Sequence, residues 1–210
     1  MKTPRVLSLN VGGVRNVEWN GTPVATGIHK VSVSGRVALR GVNFEGDDQA
    51  DRTVHGGPDK AVYAYAWEDY EFWKRAESFD VVPGLFGENL TTEGIDLSAA
   101  IIGERWRVGS TILEVRQPRL PCYKLGIRVG DPRFLKRFLR AARPGAYLSV
   151  VQEGDVGAGD AIEVLSTPAH GVSIRSMVEA LHDPDRARSL GAVARLPKFW
   201  QQVADEAGGE

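Results

Sequence analysis

The chain contains one cysteine, Cys122, and its neighbours in sequence favour thiolate chemistry. Pro118 and Pro121 restrict the backbone just before it. Positive charge lowers the pKa of a nearby thiol, and the resulting thiolate is both a nucleophile and a soft metal ligand. An inert buried cysteine that acts as a small hydrophobic residue is the alternative. Four basic residues lie within six positions of the thiol: Arg116, Arg119, Lys124 and Arg128.

A second candidate lies in the long polar segment 45–60. His55 is followed by two glycines whose backbone amides could approach an anionic group closely, and Lys60 could add a positive charge. The segment is not a Walker A loop, because the glycine spacing and the Lys-Ser/Thr pair are absent. His55 itself could be a ligand, a proton donor or a hydrogen-bonded loop residue.

Three other polar groups carry weaker signals. The acidic residues of the same segment could bind a divalent cation, but the EF-hand pattern is missing, so a solvated loop is favoured. In segment 86–90, a Glu or Asn in a tight loop usually satisfies the turn backbone, although it could also contact a heterocycle. The basic residues of segment 133–143 indicate a solvated helix face. The acidic residues are Asp47, Asp48 and Asp51, and the basic ones are Arg133, Lys136, Arg137, Arg140 and Arg143.

Composition excludes several classes of protein. The 26 Lys and Arg nearly balance the 27 Asp and Glu, which argues against a general nucleic-acid binder. A single cysteine cannot form an internal disulfide. No apolar stretch reaches the length that crosses a bilayer, and the N-terminus lacks the features of a signal peptide. These observations favour a soluble cytoplasmic protein without a membrane partner.

The pattern of elements predicts a β-rich body up to about residue 166 and a small helical segment after it. The 24 glycines and 11 prolines divide the first part into short segments, as is typical of sheets with many turns. Asn20-Gly21 indicates a tight turn. The predicted strands are 5–11, 30–33, 37–40, 61–66, 105–108, 111–117, 146–152 and 160–165, and the predicted helices are 67–77, 131–142, 173–181, 185–194 and 198–207.

Four segments resemble, in the same order, motifs of the MOSC family, the domain found at the C-terminus of molybdenum cofactor sulfurase. They are EGDDQAD (45–51), HGGPDK (55–60), FGENL (86–90) and QPRLPCYKL (117–125). The resemblance spans about residues 25–165 and is greatest to the stand-alone bacterial YiiM-type subgroup. It implies a MOSC β-barrel over 1–166, with 167–210 as a short helical extension.

The resemblance also implies a cofactor and a site. Cys122 would ligate the molybdenum of a pterin cofactor or carry sulfur for it, and His55 would act beside it in catalysis. Pyridoxal phosphate is not expected, because the chain is too short for the aminotransferase-like domain of the sulfurases. The remaining predicted cofactor-binding residues are Lys60, Asn89, Gln117, Arg119 and Lys124, together with His55.

Relatives of this kind reduce N-hydroxylated compounds, including hydroxylaminopurines. Pro121 stands where the amidoxime-reducing relatives have a basic residue, so the YiiM-type substrates are the ones carried over. The resemblance therefore implies a molybdenum-dependent oxidoreductase that acts on small N-hydroxylated molecules.

The electrons for such a reaction must come from a separate reductase partner. One cysteine cannot supply the four thiolates of an iron–sulfur cluster, and no flavin or haem pattern is present. Two alternatives stay open: a cofactor carrier or sulfur-transfer module without turnover, and a metal-free enzyme with a cysteine nucleophile. The oligomeric state is also open, a homodimer included.

Overall fold

The computed structural model describes residues 3–51, 56–77 and 79–209, which form a mixed α+β fold made mostly of strands. The strands are β1 (Arg5–Val11), β2 (Arg15–Trp19), β3 (Thr22–Thr26), β4 (Val31–Ser32), β5 (Arg36–Arg40), β6 (Asn43–Phe44), β7 (Val62–Ala66), β8 (Leu90–Glu93), β9 (Arg105–Val108), β10 (Thr111–Pro118), β11 (Ala146–Gln152), β12 (Gly154–Gly157) and β13 (Ile162–Ser166). The helices are α1 (Trp67–Ala76), α2 (Tyr123–Val129), α3 (Phe134–Arg140), α4 (Ile174–Glu179), α5 (Pro184–Ser189) and α6 (Lys198–Gly208), with 3-10 turns at Pro58–Lys60 and Leu190–Ala192.

One large sheet dominates the fold. Its eight strands lie in the order β13-β9-β10-β11-β7-β8-β1-β4, and β7 and β8 are its parallel pair while its other neighbours are antiparallel. Strands β12, β5 and β6 form a second sheet, and β2 and β3 form a separate hairpin. Asn20 and Gly21 have positive φ angles in the hairpin turn, as the Asn-Gly signal predicted.

The closed barrel expected from the sequence is not found in the described part of the chain. The sheet curls until the start of β1 meets the segment before β13: the Val6 amide donates to the Asp160 carbonyl at 2.9 Å, and the Ile162 amide donates to the Pro4 carbonyl at 2.9 Å. These contacts amount to one isolated bridge between Arg5 and Ala161. The rest of β1 pairs with β8 and β4, so the sheet stays open, with β13 and β4 at its edges.

Two hydrophobic clusters hold these elements together. The main cluster fills the curled sheet and includes the fully buried Trp106. An aromatic cluster packs α1 and α3 against β7, with Trp73 and Phe134 in edge-to-face contact at a centroid distance of 4.9 Å. Within α3, Phe134 and Phe138 are buried, whereas Leu139 is 42% exposed.

The C-terminal helices pack on the sheet. α4, α5 and α6 occur where helical periodicity predicted them, and Met177, Leu190 and Trp200 belong to the same hydrophobic cluster as Val6 and Trp106. The division of the chain near residue 166 stays a prediction. No helix among the described residues is long and apolar enough to cross a membrane.

Candidate functional site

A cavity of about 570 Å³, open to solvent, lies at one end of the large sheet. Its walls come from the end of β3, the loop before β4, the start of β7, the loop before β8, the segment after β10, and β11. The lining residues are Thr26, Gly27, Ile28, Lys30, Asp48, Gln49, Ala50, Lys60, Tyr63, Phe86, Gly87, Asn89, Arg119, Cys122, Lys124 and Tyr147.

The cavity brings together most of the predicted site residues. Residues from all four sequence motifs meet there, although the motifs are far apart in the chain. His55 lies outside the described residues. The predicted residues that line the cavity are Lys60, Asn89, Arg119, Cys122 and Lys124.

Cys122 is partly buried at the point where the segment after β10 turns into α2. The Leu125 amide donates to the Cys122 carbonyl at 2.9 Å, which begins the helix directly at the cysteine. Gly130, with a φ of 80°, ends it in a left-handed cap. The sequence reading missed this helix, because its seven residues between two glycine- or proline-containing segments give too short a periodic pattern. α2 fixes the position of Cys122 relative to Lys124.

Arg119 is a buried cation of the cavity. Its guanidinium lies 5.1 Å from the centre of the Tyr63 ring, and burial raises the pKa of Tyr63, so this phenol stays neutral. The Nη1 atom of Arg119 is buried and has no hydrogen-bond partner among the described residues. A buried guanidinium nitrogen without a partner is costly. An anionic group in the cavity would offset that cost.

A buried ion pair supports the part of the cavity lined by Lys30 and Asn89. Asp47 accepts hydrogen bonds from Lys30, from the Gly12 amide at 2.9 Å and from Asn89 Nδ2 at 2.9 Å. Asn89 Oδ1 in turn accepts from the Tyr63 amide at 3.1 Å, so Asn89 joins the ion pair to β7. Burial lowers the pKa of Lys30, and the Asp47 carboxylate opposes this effect.

The position of Asp47 corrects a sequence-based expectation. The solvated acidic loop is wrong for this residue, whose side chain is fully buried against Lys30. The two partners lie 17 residues apart, and Asp47 and Asn89 lie 42 residues apart. No spacing rule in the sequence connects residues so distant, so Lys30 was not recognised as a cavity residue.

Lys60 ends the 3-10 turn Pro58–Lys60 at the edge of the cavity. The turn begins after Gly57, whose φ of 91° is accessible to glycine at little cost. Burial lowers the pKa of Lys60, and Asp59 opposes this effect. Lys60 and Lys124 thus add positive charge beside Arg119 and the thiol.

Glu88 shapes the loop that carries Asn89. It is fully buried, and it accepts hydrogen bonds from the Gly84 amide at 2.6 Å and from the Tyr70 hydroxyl at 2.8 Å. Burial raises the pKa of its carboxyl group. The structural interpretation of this loop is confirmed for Glu88, which satisfies turn backbone and does not line the cavity.

Gln117 is not among the residues that line the cavity, and its contact with the cofactor stays a prediction. Its amide group lies between Asp59 and Trp200. Arg116 is not a lining residue either, and it forms ion pairs with Asp59 and Glu114 at 2.8 and 3.0 Å. A β-bulge shifts the register of β10 between Val115 and Gln117, so simple alternation along the strand could not assign these side chains to a face.

Arg128 is the other basic neighbour of the cysteine in sequence that the cavity lining does not include. Burial lowers its pKa, and its Nε atom is buried without a hydrogen-bond partner in the described part of the chain. Of the four basic residues near Cys122 in sequence, Arg119 and Lys124 therefore share the cavity with it.

Sequence comparison identifies relatives of the chain. YflK of Bacillus subtilis, an uncharacterized protein, is 38% identical over 192 residues, which cover 91% of this chain and 86% of YflK. YiiM of Escherichia coli is 36% identical over 184 residues, which cover 84% of this chain and 81% of YiiM. A protein of Gibberella moniliformis named reductase is 36% identical over 170 residues, covering 78% of this chain but only 29% of that longer protein.

The fold has counterparts among solved structures. The crystal structure of YiiM from Geobacillus stearothermophilus matches with a TM-score of 0.79 over 97% of this chain and 98% of that one, at 24% identity. The MOSC domain model matches residues 51–163, more than half of the chain, and includes Lys60, Asn89, Arg119, Cys122 and Lys124. The chain belongs to the MOSC domain family.

Proposed function

We propose that the chain binds the molybdenum cofactor in this cavity, with Cys122 as the metal ligand, and reduces N-hydroxylated compounds such as hydroxylaminopurines. The observation that carries the proposal is the meeting of the thiol with Arg119, Lys60 and Lys124 in one cavity. A general cofactor-binding, reductase-type function fits the MOSC family and the relative that is named reductase.

The donor set of the cavity suits such a cofactor. A thiolate is a soft ligand of the kind that a redox-active metal in a sulfur-rich environment takes. The cofactor also carries a phosphate, and Arg119, which lines the cavity, has a buried nitrogen with no hydrogen-bond partner in the part of the chain that the structure describes. Arg119, Lys60 and Lys124 would bind this phosphate through charge-assisted hydrogen bonds.

The chain's own residues would orient the bound group and shield it from water. Asn89, fixed by Asp47 and the Tyr63 amide, would present a rigid polar edge. Tyr63 and Tyr147 would form an apolar wall, because burial raises the pKa of both phenols and keeps them neutral. His55 stays a prediction as the proton donor, since it lies outside the described residues.

The reaction takes two electrons and two protons. The N–O bond of the hydroxylamine breaks, the nitrogen becomes an amine, and the oxygen leaves as water. The bound cofactor would supply the redox chemistry, and a separate reductase would supply the electrons. We place this reaction in the cytoplasm.

Turnover of 6-hydroxylaminopurine with a chemical electron donor tests the proposal. Cofactor-loaded protein should convert it to adenine, as measured by chromatography, and protein with Cys122→Ser should not. A loaded wild-type protein that reduces neither this compound nor any other N-hydroxylated base would reject the reductase assignment. That result would favour a cofactor carrier or sulfur-transfer module.

A further inference from the structure

The turn that carries Lys60 is tied to the sheet through the preceding residue, Asp59. The Asp59 carboxylate accepts a hydrogen bond from Arg116 Nε at 2.8 Å and one from Arg195 Nη2 at 3.3 Å. Its backbone carbonyl accepts a hydrogen bond from Gln117 Nε2 at 3.2 Å. Both the side chain and the backbone of Asp59 are therefore held, immediately before Lys60 reaches the cavity.

The same two side chains of β10 also contact the C-terminal segment. Gln117 Oε1 accepts a hydrogen bond from the indole N–H of Trp200, which is fully buried in α6, at 3.2 Å. Arg116 Nη2 donates to the carbonyl of Arg195 at 2.7 Å. Arg116 and Gln117 thus each make one bond to the Lys60 turn and one to the C-terminal segment.

We propose that Trp200 and Gln117 are positioning residues, which hold Lys60 at the cavity through Asp59. The C-terminal segment then sets how tightly the cavity holds an anionic group. This inference rests on the proposed function in taking the cofactor phosphate as that group. It also explains why Gln117 belongs to a motif of the site without lining the cavity.

If the hydrogen bonds of Gln117 with Asp59 and Trp200 served only to stabilise the fold, their loss would have a different effect. Buried polar groups need partners in any fold, so loss of the indole N–H would lower overall stability and leave Lys60 no more reactive than other lysines. A positioning role predicts a local effect on Lys60. The two roles are separated by a matched variant.

Trp106 offers that control. It is as deeply buried as Trp200 and packs in the same main cluster, but its indole N–H donates to Glu104 at 2.6 Å and not to Gln117. Trp200→Phe and Trp106→Phe therefore remove the same group from equivalent surroundings. Gln117→Met, which removes both bonds at the centre of the connection, is the second test variant.

The first measurement is the rate at which an amine-acylating reagent modifies Lys60, read by peptide mass spectrometry on folded protein. Loss of one hydrogen bond should raise this rate about fivefold in Trp200→Phe, and Gln117→Met, which loses both bonds, should raise it at least as much. Lys124 is the internal reference and should keep its rate in all variants. Equal Lys60 rates in Trp200→Phe, Trp106→Phe and wild type would overturn the proposal.

The second measurement is retention of molybdenum during dialysis, in a double-mutant cycle with Lys60→Met. Trp200→Phe should speed the loss of molybdenum about fivefold when Lys60 is present and have no effect in the Lys60→Met background. An equal effect in both backgrounds would contradict positioning through Lys60. If wild-type protein carries no molybdenum, the proposed function fails, and the acylation rates still decide the role of Trp200.

Discussion

Asp47 is the residue on which one wall of the cavity depends, because it binds Lys30, the Gly12 amide and Asn89 at once. Asp47→Asn would leave the Lys30 ammonium buried beside a neutral group. Removal of one partner from a buried ion pair costs about 3–5 kcal/mol. We expect a loss of about this size in the free energy of unfolding, measured by urea denaturation.

An exposed ion pair provides the control for this prediction. Glu163 and Arg107 lie 3.1 Å apart with side chains 60% and 54% exposed, and such pairs contribute little. Glu163→Gln should therefore leave the unfolding curve nearly unchanged. Similar losses in Asp47→Asn and Glu163→Gln would show that the Lys30 pair contributes no more than a surface contact.

His29 predicts a pH dependence of stability. Burial, together with charge repulsion from Arg15 and Arg128, lowers its pKa from 6.5 to about 4. Between these two values the unfolded chain binds a proton at His29 and the folded protein does not. The free energy of unfolding therefore falls as the pH decreases from 6.5 to about 4, and this loss is complete below the lower value.

His29→Gln should remove that contribution. Urea denaturation at several pH values in this window should give a shallower decline than for wild type. The exposed His182 supplies the control, since in His182→Gln the free energy of unfolding should decline with decreasing pH as steeply as in the wild type. A His29→Gln slope identical to that of the wild type would show that His29 titrates alike in both states.

At the scale of residues, local sequence motifs predicted the cavity residues with reactive or charged side chains. They did not predict the residues that reach the cavity through strand pairing or long-range contacts. Cys122, Arg119 and Lys124 share one short motif, so their meeting in the cavity was predictable. Tyr63 and Tyr147 read as ordinary strand residues, and they line the cavity because β7 and β11 pair in that register. Long-range register cannot be read from one sequence, and neither could the Lys30–Asp47 pair.

At the scale of elements, Gly145 fixes how β11 enters the sheet beside β7. Its φ is +66°, and a Cβ atom there would lie 2.4 Å from the Ala64 carbonyl oxygen. Gly145→Ala should destabilise the fold by more than the ~1–2 kcal/mol that a left-handed residue costs by itself. It should also displace Tyr147 and weaken binding in the cavity.

Gly171 isolates the backbone contribution. Its φ is +70°, and no atom lies within 4 Å of its hypothetical Cβ, so Gly171→Ala carries the conformational cost without the clash. In thermal unfolding, the Tm of Gly145→Ala should be well below that of Gly171→Ala. The reverse order would mean that β7 and β11 can separate at this point without cost.

Most helices and strands were predictable from sequence periodicity. Elements were missed, or their bounds misplaced, where glycine residues or a short length obscured the periodic pattern. β1, β9 and β11 have the predicted bounds, because alternation or turn residues mark them clearly. The strand β12, Gly154–Gly157, was read as a linker because it contains two glycines, yet it pairs with β5. Pairing with a neighbour overrides the low strand propensity of glycine.

For the whole molecule, one hydrophobic cluster joins the sheet to the C-terminal helices. Trp200, Met177 and Leu190 pack in the cluster that also holds Trp106 and Val6. We therefore expect one cooperative unfolding transition, with coincident curves from circular dichroism and tryptophan fluorescence. Trp200→Ala should cost about 3–5 kcal/mol. Two separate transitions, or a stably folded fragment of residues 1–166, would contradict this expectation.

The fold class was predictable from the sequence. The incomplete closure of the large sheet between β1 and β13 was not. Short strands divided by glycines and prolines indicated a β-rich body, and the motifs indicated the MOSC family. Whether β1 pairs fully with β13 depends on a few hydrogen bonds around Arg5 and Ala161, which no residue pattern encodes.

The molybdenum content of purified protein tests the central claim most directly. The chain would be produced in a host that makes the cofactor, as wild type, as Cys122→Ser and as Tyr123→Phe, a change at the exposed neighbour of the cysteine. We expect wild type and Tyr123→Phe to carry molybdenum and Cys122→Ser to carry at least ~10-fold less. Equal molybdenum in all three proteins would contradict the assignment of the thiol as the metal ligand.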